Sequence, residues 1–277
     1  MPEPNTLMTG IGLGESPRWH EGRLWFADWI AQELIALDLE GNSEVMANVP
    51  SLPFSVDWLP DGPMLITSGR NLLHMASDGS LETRADLGGL SEYGWNEIVV
   101  DGRGNTYVNN ICFNFMNGAE FAPGIIALVT PDGSVRQVAD GIAFPNGMVV
   151  TPDDSTLIVA ESFAGRLSAF DIAADGGLSN RRVWAELGEG GDGICMDAEG
   201  AVWTPAMKGC MRVREGGEVL ERIELDRFCF ACMLGGADGK TLFMMAAEWN
   251  GPENVGKGPR TGKVLTADAP APHAGSP

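Results

Sequence analysis

The sequence predicts an all-β fold, a ring of six four-stranded sheets. Three observations predict it: a phrase that recurs six times, a composition full of turn residues with no amphipathic helix of normal length, and polar residues in register at one end of the repeats.

The phrase is an apolar strand, a tight polar turn, then a second apolar strand. Its copies are RWHEGRLWFAD (18–28), DWLPDGPMLITS (57–68), VVDGRGNTYVNN (99–110), VVTPDDSTLIVAE (149–161), CMDAEGAVWTPA (195–206) and LGGADGKTLFMMA (234–246). The turn residues Gly22, Gly62, Gly104, Asp154, Gly200 and Gly239 stand 40, 42, 50, 46 and 39 residues apart. Repeats of that period suit a β-propeller, in which each blade is one four-stranded sheet. Between the copies lie the outer hairpins, residues 34–47, 72–85, 125–139 and 168–185, each again strand, Asp-rich turn, strand. The sixth copy is followed by a long loop (249–261) and one short run, 263–267, so it lacks a strand. Residues 6–11 are expected to supply it and close the ring, which would remove an exposed edge. Residues 1–268 are therefore expected to form a single six-bladed propeller. The Ala- and Pro-rich segment 269–277 is expected to be a disordered tail.

Composition agrees. Hydrophobic residues are 44% of 277, which makes a globular chain, while 37 Gly and 17 Pro imply many turns. Acidic residues number 38 against 18 basic ones, a net charge of −20. That balance argues against nucleic acid and anionic membranes as partners. No stretch is apolar enough to span a bilayer and the N-terminus lacks a signal-peptide pattern, so a cytoplasmic protein is expected. Five cysteines are expected to be free, with Cys229 and Cys232 as buried core thiols. Three histidines leave little room for a multi-His zinc site or a Ser-His-Asp triad. The GxGxxG match at 188–193 precedes a strand rather than a helix, so it lacks phosphate-binding geometry. Oligomeric state is left open.

Seven to nine residues before each turn stand Glu15, Phe54, Asn96, Asn146, Asp192 and Phe230. In a propeller these positions converge on one mouth of the central channel. Two carboxylates and two amides there make a set of hard oxygen donors. Such a set suits calcium or magnesium and can hold manganese or zinc.

The phrases GESPRWHEGRLWFAD, WNEIVVDGRGNTYV, FPNGMVVTPDDSTLIVAES, GRLSAFDI and DGICMDAEGAVW resemble the senescence-marker-protein (regucalcin)/gluconolactonase/luciferin-regenerating-enzyme family along nearly the whole chain. The resemblance implies a six-bladed propeller with one divalent metal in the channel, calcium first. It implies metal ligands at Glu15, Asn146 and Asp192, and substrate contacts at Asn96, with Glu97 beside it and Asn114 further on. Sugar-lactonase relatives often carry an Arg two residues before the Asn. Here that position is Gly94, which puts sugar acids in doubt as substrates.

The expected activity is metal-dependent opening of a lactone, with the carbonyl polarised by the cation and attacked by water. The resemblance suggests Asp192 as the general base. A carboxylate that also holds a divalent cation is a weak base, so a water activated by the cation is the alternative. The competing readings are a metal-dependent esterase or phosphotriesterase acting on a less polar substrate, such as an organophosphate or an aromatic or lipophilic lactone, or a calcium-binding propeller without activity. The apolar loop 112–123, with Phe113, Phe115, Met116 and Phe121, is either a lid or packing on its own blade.

Overall fold

The computed structural model describes residues 4–60 and 62–275. Within these residues, strands pair antiparallel into six four-stranded sheets arranged as a β-propeller. Blades 1 to 5 are residues 14–48, 56–86, 98–142, 145–186 and 195–224. Blade 6 joins the two ends of the chain. Its three inner strands are Phe228–Gly235, Thr241–Ala247 and Gly262–Asp268, and its outermost is Asn5–Ile11. Asn5 lies opposite Thr266 and Ile11 opposite Gly262.

The turns follow from the sequence. Five of the six turn residues, Gly22, Gly104, Asp154, Gly200 and Gly239, take positive φ between 55° and 81°. That region favours Gly, with Asp among the few tolerated alternatives. The Asp residues of the outer turns cap their own loops: Asp38, Asp132 and Asp175 accept backbone N–H groups two residues on. Much of the acidic surplus is this turn chemistry.

The apolar core lies between adjacent blades, not on the axis. Leu24, Phe26 and Ile35 of blade 1 pack with Trp203 of blade 5 and Phe243 and Met244 of blade 6. Trp19 stacks on Phe243 at 5.4 Å. Because each sheet is held by its neighbours, the closing strand matters to the whole ring. Deleting residues 1–11 removes one strand ladder and the buried Ile11. The melting temperature is expected to fall by more than about 10 °C. An unchanged calorimetric melt would show that the ring closes without that strand.

The tail departs from expectation. Residues 269–275 are packed rather than disordered; 276–277 lie outside the described residues. Ala198 N donates to Pro272 O (2.8 Å), His273 N to Gly239 O (3.0 Å) and Ala274 N to Met196 O (3.0 Å). Ala269 and Ala271 are buried. Prolines lack an N–H, so this segment has few donors to satisfy. It crosses the channel end opposite the polar mouth, beside Val100, Val150 and Met196. Composition read it as a tail because its order comes from distant backbone partners.

Candidate active site

Each inner strand begins at the polar mouth, and its first residues bend away from regular pairing. The blade 1 ladder shifts register between Glu15 and Arg18, and Ser16 sits at φ 49°. The blade 4 ladder shifts between Pro145 and Met148. Irregularities of this kind re-aim side chains. The strands also crowd together here. A Cβ on Gly147 would stand 2.5 Å from the Asp192 backbone oxygen, and one on Gly193 would stand 2.5 Å from Ala231 Cβ. Only glycine allows this approach, which brings Asn146 and Asp192 side by side.

One cavity of about 590 Å³ opens at this mouth. Glu15, Asn96, Asn114, Asn146 and Asp192 line it together, as does Phe230. Two residues fall elsewhere. Phe54 is fully buried between blades, its carbonyl accepting from Trp29 Nε1 at 2.7 Å. Glu97 lies beneath the cavity floor, beside Ser16, Arg18, Gly147 and Gly193, so it does not face a substrate. Neighbouring residues in extended chain point opposite ways, and Asn96 takes the upward place.

The amides are held from behind. Asn96 Nδ2 donates to Pro145 O (3.1 Å), and Asn146 Nδ2 approaches Ser162 Oγ at 3.4 Å. Ser162 Oγ donates in turn to Gly191 O (2.7 Å). Ser162 escaped sequence reasoning because it lies outside the repeat register, one residue past a strand end. Asn114 also has a local structural role. Its side chain accepts from Asn117 N (3.3 Å) and caps the turn Phe115–Asn117.

The electrostatics are unbalanced. Among the described residues, four carboxyl groups, Glu15, Asp57, Glu97 and Asp192, share the channel with one guanidinium, Arg18. Arg18 stands 3.7 Å from Asp57 and 3.8 Å from Glu97, and it donates to Ile98 O at 2.7 Å. Burial pushes Glu15 well above the usual carboxylate range, and the charges of Asp192 and Glu97 push it further. Burial and then the Glu97 charge do the same to Asp192, against the Asn146 amide and Gly193 N–H. Glu97 is raised by burial to about 7 and Asp57 to about 6, each opposed by Arg18. Asp192 Oδ1 is sealed from solvent and has no hydrogen-bond partner among the described residues.

Among the described residues no three His, Cys, Asp or Glu side chains are grouped for a metal. The set here is two carboxylates with two amides, an oxygen-only arrangement that fits a hard divalent cation. The excess negative charge and the orphaned Asp192 Oδ1 are what such an ion would satisfy.

The family model for the SMP-30/Gluconolactonase/LRE-like region matches residues 13–248. The chain belongs to that family. Among curated relatives, pentonolactonase XacC of Haloferax volcanii is 26% identical over 266 residues, covering 90% of this chain and 87% of the relative. Regucalcin of Xenopus laevis is 26% identical over 285 residues, covering 95% of each. Among solved structures, a luciferin-regenerating enzyme superposes with TM-score 0.85 at 16% identity, over 100% of this chain and 98% of that one. That likeness concerns the fold. The family membership agrees with the sequence resemblance, and lactone-hydrolase-like activity is the function these relatives support.

The loop 112–123 packs neither on its own blade alone nor apart from the site. Phe113 and Phe115 reach Phe144 and Phe163 of blade 4, with ring centroids 5.0–6.1 Å apart. Cys229 is at the cavity wall, with Cys195, Cys210 and Cys232 buried behind it as free thiols, as expected.

Proposed function

We propose that this protein is a divalent-cation-dependent lactone hydrolase, with Glu15, Asn146 and Asp192 holding the ion and calcium as the first choice. The observation that carries this reading is the pair Glu15 and Asp192, set with two amides at one cavity and short of countercharge. When bound, the ion neutralises the two carboxylates and offers an electrophile to the ester carbonyl oxygen.

The chain's own groups do the rest. Asn96, pinned through Nδ2 to Pro145 O, keeps its Oδ1 as the acceptor for a substrate hydroxyl or water. The Asp192 carboxylate, at the cavity and beside the Asn146 amide, takes the proton of the attacking water. The water oxygen bonds to the acyl carbon, the acyl C–O bond of the ring breaks, and the proton taken up by Asp192 passes to the departing ring oxygen, so the product is a hydroxy acid. Arg18 and Glu97 sit behind the ligands and hold the floor of the site in place.

The test is direct. Protein purified, treated with a strong chelator and returned to calcium should lose and regain lactone hydrolysis, read by proton release. Bound metal measured by elemental analysis should approach one ion per chain. Full activity after chelation would reject the reading.

A further inference from the structure

The cavity walls carry a specificity that its polar floor does not. Five phenylalanines, Phe113, Phe115, Phe121, Phe144 and Phe163, form one aromatic cluster on one side. Four of them, all but Phe121, line the cavity. They come from two blades, 113–121 from the loop after the second strand of blade 3, and 144 and 163 from the two ends of a blade 4 hairpin. Phe144 and Phe163 stack at 4.6 Å. Phe163 is 53% exposed and Phe121 51%, an uncommon state for large rings unless they serve a contact. Phe144 is held at φ 62°, where a bulky side chain is strained. Strain of that kind persists where the surroundings impose it and gathers at ligand sites. Across the cavity stand Trp29, Phe230 and Trp249.

Among the described residues, the lining contains no Lys, Arg or His. A phosphorylated or carboxylated lactone would find no cationic side chain there. Outside the floor the polar lining is Glu92, Tyr93, Asn114 and Ser162, so a polyhydroxylated ring seated against the phenylalanines would turn hydroxyls toward phenyl faces, which costs affinity. A cavity of about 590 Å³ also exceeds what a small bare lactone fills.

We infer that the substrate is an uncharged lactone carrying an aryl substituent: the lactone ester rests at the Glu15–Asn96–Asn146–Asp192 floor and the aryl group stacks among Phe115, Phe144 and Phe163. This rests on the lactone-hydrolase reading and adds the substrate class. Aromatic rings prefer offset or edge-on partners at 4.5–7 Å, the spacing these side chains already keep among themselves.

The test uses the full-length protein with calcium and three probes: a phenyl-substituted δ-valerolactone, unsubstituted δ-valerolactone and glucono-δ-lactone. The phenyl compound should show the highest kcat/KM, at least about tenfold above either other. Phe163→Ala and Phe115→Ala should each lower the ratio of phenyl to unsubstituted kcat/KM by about tenfold, mainly through KM. Phe163 is half-exposed, so its truncation leaves folding intact. Calorimetric titration with 2-phenyltetrahydropyran and with tetrahydropyran, neither hydrolysable, measures binding alone. Hydrolysis of all three lactones with no phenyl preference overturns the inference and leaves the hydrolase standing. Binding of the phenyl ether with no lactone hydrolysed rejects the hydrolase reading and with it the substrate class, leaving only an aryl-binding cavity. A preference for the sugar lactone overturns the inference outright.

Discussion

Asp192→Ala and Glu15→Ala are each expected to lower kcat/KM for lactone hydrolysis by about 10³-fold and to abolish tight divalent-cation binding. The factor is that of losing a main electrostatic contact in a transition state that develops charge on oxygen. A folding defect could mimic this loss, so stability supplies the control. Both carboxylates repel one another across a poorly solvated mouth, and burial already disfavours their charge. Removing either one relieves the metal-free protein. In chelator, the variants should therefore melt at or above the temperature of the parent chain. With calcium the order reverses. An ion present at about a thousand times its dissociation constant stabilises the parent by about 4 kcal/mol, or roughly 10 °C for a chain of this size. The variants should show no such rise. A variant that melts low in chelator and is inactive has merely unfolded. One that binds calcium normally and is inactive places the residue outside the ligand set.

Both amides separate the roles further. Asn146 stands beside Asp192 and faces Ser162, whereas Asn96 is tied to Pro145 O across the mouth. The scheme gives Asn146 to the ion and Asn96 to the substrate. Asn146→Ala thus belongs with the ligand variants, and Asn96→Ala should keep its calcium-induced rise in melting temperature while losing activity.

The sequence carried the fold because the repeat is built from local chemistry. A turn that needs positive φ selects Gly22, Gly104, Gly200 and Gly239, and that choice is visible at fixed spacing. The polar mouth was legible for the same reason: Glu15, Asn96, Asn146 and Asp192 occupy one register where a strand start is ordinarily apolar. What was not legible depends on paths between blades. Phe163 looks like any residue after a strand until the loop from blade 3 is laid against it. Glu97 sits next to Asn96 in sequence, but strand alternation sends it below the floor. Segment 269–275 gains its order from Met196 and Gly239, which no composition can reveal.

The channel carboxylates also set the pH response of stability, and its sign is opposite to that of ordinary surface acids. Glu97 titrates near 7 and Asp57 near 6 in the folded protein, against 4.5 and 3.8 without the fold. A folded pKa raised above the unfolded one means the folded state holds its proton more tightly. The corresponding stability is fully present below about pH 4 and is lost as pH rises through 6 and 7. Glu15 and Asp192 are raised as well and act in the same direction. Metal-free protein should therefore gain stability as pH falls from 8 to about 5, by a few kcal/mol at order of magnitude. At the acid end the trend must turn. Glu161, lowered to about 2 through Ala143 N–H, Ser168, Arg166 and Arg181 despite its burial, contributes stability that disappears as pH falls from about 4.5 through 2. Asp38, Asp132 and Asp175, held low by their turn hydrogen bonds, add to that loss. Urea unfolding in chelator from pH 3 to 8 should trace a maximum near pH 5. Saturating calcium should flatten the limb between 5 and 8, because the ion replaces the protons that Glu15 and Asp192 would otherwise take up. A limb that stays equally steep with calcium would assign the response to Glu97 and Asp57 alone, and would place the cation away from Glu15 and Asp192.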